Sequence, residues 1–466
     1  MTGSGYHASG AAPGAGLPAA GKAKSVVYND RVEVAMRVLV IGSGAREHAL
    51  VHALRRSPGV GDIYAVPGNA GIAQAADLLP LSGDDLPGLA EAACDLRIDL
   101  TVVGPELPLA LGIGDEFGRR GLRLFGPTRA GAELESSKIF AKEFCRRHGI
   151  PTAGAEVASS EGEARKAVER LGLPIVLKAD GLAAGKGVLV VRCGEELEEA
   201  IETFFTARRF GEAGDRVLIE EYLEGVELSY MAISDGTQVV PVATSHDYKR
   251  AFDGNQGPNT GGMGAHSPAL VVPPGTSRRI IDDVVRPTIT GMAAEGREYR
   301  GLLYVGLMLT ADGPKVLEFN CRFGDPEAQA VLLRLDDNLA GVLRAAADGQ
   351  LGATSLRWRR EAVACVVLAA EGYPGNPKRG DEITGLDDAL GLSGVTVYHG
   401  GSRLQDGHFV TAGGRVLSVC GRGPSLADAV ATAYRGVACI RFNGMRHRTD
   451  IGADTIDTLR SSGEQD

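Results

Sequence analysis

The first third of the chain alternates short apolar runs with polar turns rich in glycine. The runs lie at residues 38–41, 63–66, 100–103 and 122–125, and each is followed by such a turn. After the first run, residues 49–54 carry apolar side chains at helical spacing. Strands that alternate with helices and end in glycine loops predict a parallel sheet that binds ligands at the carboxyl ends of its strands.

After about residue 135 the pattern changes to paired strands. Strands are predicted at 174–179, 188–191, 217–222, 228–233, 301–310 and 315–319. The last two are joined by the turn Ala311-Asp-Gly-Pro314, which is typical of a hairpin. Beyond about residue 356, strands at 362–369 and 413–419 and a helix at 425–435 predict a third, smaller domain.

Composition narrows the class of protein. Hydrophobic residues make up 44% of the 466 residues, enough for a full globular core, and the length fits roughly three domains. The formal charge of -10 argues against a nucleic acid or an acidic membrane as partner, because either would need a basic face. The longest apolar runs have the length of strands, so we expect no membrane-spanning segment.

Cysteine usage and the amino terminus add two further expectations. The seven cysteines are scattered and form no C-x-x-C pair, which argues against a disulfide framework or a zinc site and favours the cytoplasm. Residues 9–24 are rich in Gly, Ala and Pro and contain no acidic residue. We therefore interpret residues 1–35 as a disordered extension or a tag, with Met36 as a plausible start.

The first glycine loop, Gly42-Ser-Gly44, invites comparison with a dinucleotide-binding loop. That fingerprint requires a third glycine where this chain has Glu47, so close packing around a pyrophosphate is disfavoured. The loop could still offer backbone N–H groups at a helix N-terminus to a single phosphate, with a charged hydrogen bond from Arg46. A plain strand-to-helix turn is an equally good interpretation.

A second glycine loop runs from Lys178 through Gly181 to Gly185, Lys186 and Gly187. It fails the spacing of a P-loop, because only three residues separate Gly181 from Gly185 and no Ser or Thr follows Lys186. The next residues predict a strand, so the loop belongs to a hairpin that carries two lysines. Such a hairpin can fold over a triphosphate, and a plain surface hairpin is the weaker interpretation.

Three other stretches offer polar groups of less definite meaning. Residues 219–227 form an acidic segment at the end of a predicted strand. Its backbone groups could bind adenine and a carboxylate could bind the ribose hydroxyls. Carboxylates that are merely solvated would give the same sequence pattern. Residues 246–250 offer charges for a phosphate or a carboxylate. The glycine-rich residues 257–264 predict a nest of backbone N–H groups for an anion, and a long disordered loop ranks second.

Residues 317–327 carry the strongest local signal for a site. Glu318 and Asn320 are two apart on a predicted strand and share a face, with Leu317 and Phe319 on the other. Two hard oxygen ligands on one face suit magnesium, which takes few protein ligands and keeps phosphates and waters. Further charge follows at once, at Arg322, Asp325 and Glu327.

In this order the motifs resemble the ATP-grasp ligases, and among them the glycinamide ribonucleotide synthetase family. The most specific stretches lie at residues 42–48, 67–71, 178–187, 257–264 and 318–327, and the resemblance spans nearly the whole chain from Met36. It implies conversion of glycine, 5-phosphoribosylamine and ATP to glycinamide ribonucleotide, ADP and phosphate, a step of purine synthesis. Lacking an evident nucleophile motif for an acyl-enzyme, the chain is expected to react through glycyl phosphate.

The resemblance also implies an α/β fold of three domains. These are a Rossmann-like domain at 36–136, a two-lobed ATP-grasp body at 137–355 with a mobile lobe at about 156–224, and a small α+β domain at 356–460. The implied cofactor is magnesium or manganese, with ATP as co-substrate. We expect only small-molecule partners, a monomer and a cytoplasmic location.

Site residues are carried over by position. The ATP-binding residues would be Lys138, Lys178, Gly185, Lys186, Glu220, Glu221, Tyr222, Leu223 and Glu227. The metal ligands would be Glu318 and Asn320, and the catalytic residues would be Lys186, Arg322 and Asp325. The two other substrates would contact Gly42, Gly44, Arg46, Glu47, Gly68, Asn69, Asp247, Lys249, Arg250, Asn259, Thr260, Gly261, Gly262, Arg322, Gly324 and Asp325.

Two departures and several rival functions stay open. Residues 1–35 have no counterpart in the family, and the strand at 302–309 lacks the carboxylate that many ATP-grasp relatives use as another metal ligand. The rivals are another ATP-grasp carboxylate–amine ligase, a carboxylase that uses bicarbonate, a catalytically dead ATP-grasp sensor and an oxidoreductase. Release of ADP that requires both glycine and phosphoribosylamine would separate them from the synthetase.

Overall fold

The computed structural model describes residues 35–182, 187–269, 272 and 275–462, and the structural statements below refer to these residues. Residues 1–34, Gly185 and Lys186 lie outside them. The amino-terminal elements are β1 (Met36–Gly42), α1 (Ala45–Arg55), β2 (Val60–Pro67), β3 (Asp77–Leu78), α2 (Leu86–Asp95), β4 (Leu100–Val103), α3 (Glu106–Leu111), α4 (Ile113–Arg119), β5 (Leu124–Phe125) and α5 (Arg129–Ser136).

These strands form one parallel sheet, as predicted, and the structure gives their order as β3-β2-β1-β4-β5. The central strand β1 is buried on both faces, because Val38 and Val40 pack into one hydrophobic core and Leu39 and Ile41 into another. In a parallel sheet the loops that follow β1, β2 and β4 lie at one edge. The loops that begin at Gly42, Gly68 and Gly104 therefore share the carboxyl edge.

The middle of the chain contains two four-stranded antiparallel sheets and a short hairpin at residues 250–259. Its elements are α6 (Lys138–Arg147), β6 (Ala155–Ala158), α7 (Glu161–Leu171), β7 (Ile175–Ala179), β8 (Val188–Val191), α8 (Gly194–Ile201), β9 (Val217–Glu221), β10 (Val226–Asp235), β11 (Val239–Pro241), β12 (His246–Asp247), β13 (Arg250–Phe252), β14 (Gln256–Asn259), β15 (Gly264–Ser267), α9 (Thr276–Ile280), α10 (Arg286–Ala294), β16 (Arg300–Thr310), β17 (Gly313–Asn320), α11 (Glu327–Arg334) and α12 (Leu339–Ala347). One sheet has the order β6-β9-β7-β8 and the other β11-β10-β16-β17.

The carboxy-terminal elements follow residue 356, as predicted. They are β18 (Ala362–Ala369), α13 (Leu386–Leu390), β19 (Val395–His399), β20 (Ser402–Gln405), β21 (His408–Thr411), β22 (Arg415–Gly423), α14 (Leu426–Cys439) and α15 (Ala453–Ser462). Ser425 caps α14 by accepting a hydrogen bond from the backbone of Asp428, so the predicted helix begins where its serine indicates.

The carboxy-terminal sheet also recruits two strands from the middle of the chain. Its order is β12-β15-β18-β22-β19, and β15 pairs antiparallel with β18. The sequence pattern does not predict this mixing, because β12 and β15 are only two and four residues long and flank a glycine-rich stretch. The segment 246–262, which carries many of the predicted substrate residues, is thereby fixed to the carboxy-terminal sheet.

Candidate active site

A cleft of about 940 Å³ brings residues from all three parts of the chain together. A recess of about 110 Å³ continues it and shares Lys178, Glu220 and Glu318 with it, and Lys138 lines this recess. The predicted site residues that line the cleft are Arg46, Lys178, Glu220, Glu221, Tyr222, Leu223, Glu227, Asp247, Lys249, Arg250, Asn259, Thr260, Gly261, Glu318, Asn320, Arg322, Gly324 and Asp325. Motifs far apart in sequence therefore form one continuous surface.

A buried carboxylate between two lysines forms the floor of the recess. Glu220 on β9 is 2% exposed, and its two oxygens lie 2.6 Å from Lys178 Nζ on β7 and 2.6 Å from Lys142 Nζ on α6. Burial alone would raise the pKa of Glu220, but the two ammonium groups outweigh it and lower that pKa. In this structure Glu220 is thus held by lysines, whereas our sequence hypothesis assigned it to the nucleoside.

Lys142 was missed by the sequence reasoning, although a signal for it existed. It follows Lys138 by four residues, and on the helix α6 that spacing puts the two lysines on one face. Ser137 opens that helix by accepting a hydrogen bond from Phe140 N at 3.1 Å. The helix therefore presents two ammonium groups to the recess.

The start of the second glycine loop is bonded to the first turn of α6. Lys138 Nζ donates to Gly181 O at 2.8 Å, and Asp180 Oδ1 accepts from Ser137 Oγ at 3.0 Å and from Ile139 N at 3.1 Å. Lys138, Lys178 and this loop therefore border one space, as the phosphate-binding hypothesis requires. Gly185 and Lys186, which the same hypothesis includes, lie beyond the described part of the loop.

Glu318 and Asn320 both face the cleft from β17, but Leu317 does too. The pairing of β16 with β17 is irregular at this point, where Gly306 opposes Glu318 and Leu307 opposes Val316. Leu317 is the extra residue of this bulge and lines the cleft, so the prediction that it points the other way is wrong. The register of a strand pair, which fixes this detail, leaves no trace in local sequence.

The surroundings of Glu318 keep it ionised. Lys249 Nζ lies 3.2 Å from Glu318 Oε1 and is the largest cause that lowers the pKa of Glu318, to about 2. Gly306 was missed from sequence: a Cβ there would lie 3.0 Å from Glu318 Cγ, so its glycine leaves room for the carboxylate. Asn320 Oδ1 accepts a long hydrogen bond, 3.4 Å, from Arg322 Nη2.

An ionised carboxylate and an amide oxygen on one strand face fit a hard divalent cation. Within the described ranges, no three or more His, Cys, Asp or Glu side chains are grouped to hold a metal ion. The donor set therefore suits a cation whose remaining ligands are phosphate oxygens and waters, as is common for magnesium.

Asp247 lines the cleft, and one of its carboxyl oxygens is buried. This oxygen, Oδ1, has no hydrogen-bond partner among the described residues. Burial raises the pKa of Asp247 well above its usual value, and the nearby carboxylate of Glu327 raises it further. Gly262 makes this arrangement possible, because a Cβ there would lie 2.7 Å from Asp247 Oδ1 and 2.3 Å from Pro326 Cδ.

Arg322 and Asp325 are each held by partners from other domains. Arg322 Nε lies 3.2 Å from Glu106 Oε2, and its Nη2 lies 3.1 Å from Glu135 Oε1. Burial would lower the pKa of Arg322, but these two carboxylates raise it, so the guanidinium stays charged. Asp325 Oδ2 lies 2.7 Å from Arg415 Nη2.

Arg415 comes from the carboxy-terminal sheet, and the sequence reasoning missed it. Its Nη1 donates to Asp325 O at 2.7 Å and to Gly261 O. It therefore joins the two loops that carry Asp325 and the glycine-rich stretch. No local motif marks this arginine, which lies 90 residues from Asp325 along the chain.

The first glycine loop is closed by the side chain of Glu47. Glu47 Oε2 accepts from Gly44 N at 2.6 Å, and a Cβ on Gly104 would lie 1.9 Å from Glu47 Oε1. The carboxylate thus fills space that a pyrophosphate would need, which argues against an oxidoreductase. Arg46 lines the cleft and donates to Phe323 O at 3.2 Å.

Other predicted residues of the amino-terminal loops support the turns behind the cleft. Asn69 Nδ2 donates to Ser43 O at 2.8 Å and to His399 O at 2.7 Å, and its Oδ1 accepts from Gly71 N and Ile72 N. Of the described residues predicted to contact substrates, those outside the cleft lining are Gly42, Gly44, Glu47, Gly68, Asn69 and Gly262. Asn69 therefore connects the loop after β1 with the end of β19 in the carboxy-terminal domain.

The described helices include none with both the length and the apolar character to cross a bilayer.

Comparison with protein-family models gives three adjacent matches along the chain. They are described as phosphoribosylglycinamide synthetase N domain at residues 36–135, ATP-grasp (A) domain at 136–328 and C domain at 363–454. The predicted architecture of a Rossmann-like domain, an ATP-grasp body and a small α+β domain is thus confirmed. The finer domain boundaries and the mobile lobe at about 156–224 stay predictions.

Individual proteins match over nearly their full length. Phosphoribosylamine–glycine ligase of Vibrio vulnificus is 48% identical over 424 residues, which are 90% of this chain and 99% of the relative. The ligase of the same name from Ralstonia nicotianae is 50% identical over 422 residues, 90% of this chain and 100% of the relative. The crystal structure of phosphoribosylamine–glycine ligase from Thermotoga maritima has a TM-score of 0.76 at 35% identity, covering 89% of this chain and 100% of that one.

Proposed function

Because this chain belongs to the phosphoribosylglycinamide synthetase family, we propose that it joins glycine to 5-phosphoribosylamine and cleaves ATP to ADP and phosphate. The product is glycinamide ribonucleotide, an intermediate of purine synthesis. We further propose that the enzyme works in the cytoplasm as a monomer. The cleft supports this proposal because lysines, arginines, carboxylates and the oxygen donors of Glu318 and Asn320 line one continuous surface.

ATP is proposed to lie across the recess and the adjoining part of the cleft. Lys138 and Lys178 border the recess and would neutralise phosphate oxygens. The backbone of residues 221–223, which line the cleft directly after β9, would contact adenine, and Glu227 would contact the ribose. The triphosphate would then extend towards Glu318 and Asn320.

Glu318 and Asn320 are the residues that would hold magnesium or manganese. When bound, such a cation would supply positive charge against the phosphate groups during transfer. The ionised state of Glu318 at neutral pH supports this assignment, because its pKa is lowered to about 2.

The unpartnered carboxylate of Asp247 is the observation that carries the choice of glycine. A buried anionic oxygen without a partner is costly, and an ammonium group would satisfy it by a charge-assisted hydrogen bond. With its ammonium group on Asp247, glycine would direct its carboxylate towards Lys249, which lies beside Glu318. The carboxylate of glycine would then lie next to the proposed position of the γ-phosphate.

The reaction would proceed in two transfers. A carboxylate oxygen of glycine attacks the γ-phosphorus, the bond to ADP breaks, and glycyl phosphate forms. The amine of phosphoribosylamine then attacks the carbonyl carbon, the bond to phosphate breaks, and the amine loses a proton. Arg322, held between Glu106 and Glu135, would stabilise the negative charge that develops on the transferring groups.

Isotope transfer tests the proposed function. Glycine with a heavy-oxygen label in its carboxylate should pass one labelled oxygen to the released phosphate, and ADP should form only when all three substrates are present. Turnover with bicarbonate in place of glycine would support the carboxylase alternative. Release of AMP and pyrophosphate, or of unlabelled phosphate, would contradict the acyl-phosphate route.

A further inference from the structure

The hairpin of β13 and β14 lines the cleft and is bonded to the last segment of the chain. Arg250 and Asn259, one on each strand, both line the cleft. Tyr248 precedes the hairpin, and its hydroxyl donates to Asp454 Oδ1 at 2.7 Å and accepts from Gly452 N at 2.9 Å. The position of the hairpin therefore depends on the last segment of the chain.

Arg448 lies at the centre of the contacts between the hairpin and the last segment of the chain. It is 1% exposed, and its Nε and Nη2 each lie 2.7 Å from an oxygen of Asp450. Its Nη1 donates to Asn255 Oδ1 at 3.0 Å and to Arg250 O at 3.3 Å, and its guanidinium lies 5.1 Å from the centre of the Tyr248 ring. A guanidinium removed from water requires such complete pairing.

The turn of the hairpin is bonded to the same segment by two more residues. Asp450 Oδ2 accepts from Gly254 N at 2.8 Å. Asp253 accepts from Thr449 N at 2.8 Å and from Thr449 Oγ1 at 2.6 Å. Residues 448–450 thus contact strand β13 and the turn of the hairpin, while Arg250, Asn255 and Asn259 line the cleft.

We propose that Arg448 is a positioning residue. It would hold the hairpin 250–259 in place beside the part of the cleft that binds glycine and phosphoribosylamine. This inference rests on the proposed function, because the hairpin lies on the side of the cleft assigned to glycine and phosphoribosylamine. The planar fork of arginine suits the role, since it bonds Asp450 with two nitrogens and the hairpin with a third. A lysine offers one nitrogen and cannot hold both.

Steady-state kinetics of the full chain test the proposal. Arg448→Met should raise KM for glycine or for phosphoribosylamine about tenfold or more, while KM for ATP stays within about twofold. Asn255→Gly should shift the same constant in the same direction, because it removes the acceptor and tolerates the positive φ of 54° at this position. Asn255→Asp should behave like wild type, since a carboxylate still accepts from Arg448.

Arg403→Met provides a matched control, because Arg403 lies on the exposed β20–β21 hairpin and donates to Gln405 Oε1 at 2.7 Å. Hydrogen exchange should be faster at 250–259 in Arg448→Met and Asn255→Gly and unchanged in this control. Equal KM shifts for all three substrates, or none, in folded Asn255→Gly would overturn the positioning role. A wild-type enzyme that makes no glycinamide ribonucleotide would instead refute the proposed function.

Discussion

Lys249 Nζ lies 3.2 Å from Glu318 Oε1, so the lysine between β12 and β13 keeps the proposed metal ligand ionised. The same nitrogen lies 3.6 Å from Glu227 Oε2, the proposed ribose contact. A cation that binds Glu318 would compete with this ammonium group. Metal binding and the position of Lys249 are therefore coupled through one carboxylate.

Replacement of Glu318 by glutamine should abolish metal-dependent turnover. The amide removes the charge that balances a cation among phosphates, and we expect kcat to fall about a hundredfold or more. The fold should persist because Glu318 keeps one third of its side chain exposed, at 33%. Kinetics at increasing magnesium concentration, with thermal melting in parallel, check this; a wild-type metal response would refute the ligand assignment.

Asp247 should make glycine binding depend on pH. Its folded pKa is raised above the ordinary 3.8, so its ionisation costs stability in the free enzyme, and protons compete with the glycine ammonium group as pH falls through the raised value. KM for glycine should therefore rise towards low pH while KM for ATP changes less. Titration of both constants against pH measures the difference.

Removal of the Asp247 charge should weaken glycine binding specifically. Asp247→Asn should raise KM for glycine about tenfold to a hundredfold, the usual range for a lost charge-assisted hydrogen bond. It should also flatten the pH dependence of that constant. Glu224→Gln is the control, because Glu224 is an exposed carboxylate from the same part of the chain. An unchanged KM for glycine in Asp247→Asn would refute the proposed contact between Asp247 and the ammonium group of glycine.

Glu220 should contribute to stability as well as to the shape of the recess. Glu220→Gln leaves Lys142 and Lys178 buried without their counter-charge, and we expect a loss of about 3–5 kcal/mol in the free energy of unfolding. Denaturant unfolding measures this. The neighbouring Glu221→Gln is a matched control, because Glu221 is exposed and should change stability little. Equal effects of the two variants would argue against the buried triad.

Arg415 should matter for turnover although it lies in the carboxy-terminal domain. Arg415→Met removes the partner of Asp325 and the bond to Gly261, so we expect kcat to fall about tenfold or more with KM for ATP nearly unchanged. Arg422→Met on the same strand is the control, since Arg422 forms a loose pair with Glu361 at 3.9 Å. Wild-type kcat in Arg415→Met would exclude this role.

The sequence predicts those parts of the site that rest on local rules. Glu318 and Asn320 were predicted to share a face because strand alternation puts residues two apart on one side, and both line the cleft. Leu317 was assigned to the wrong face because a bulge depends on the partner strand. Arg415 and Gly306 were missed for a related reason: each acts on a residue brought near by long-range strand pairing.

The carboxy-terminal domain is not one continuous stretch of the chain, because its sheet includes β12 and β15 from the middle of the chain. Gly264–Ser267 is buried and pairs with Val363–Val366, so a cut near residue 356 would give two fragments whose exposed strand edges fit only each other. Such fragments should complement one another when co-expressed and aggregate when made alone. Chimaeras between family members should therefore fold only when residues 246–267 and the carboxy-terminal sheet come from the same parent protein.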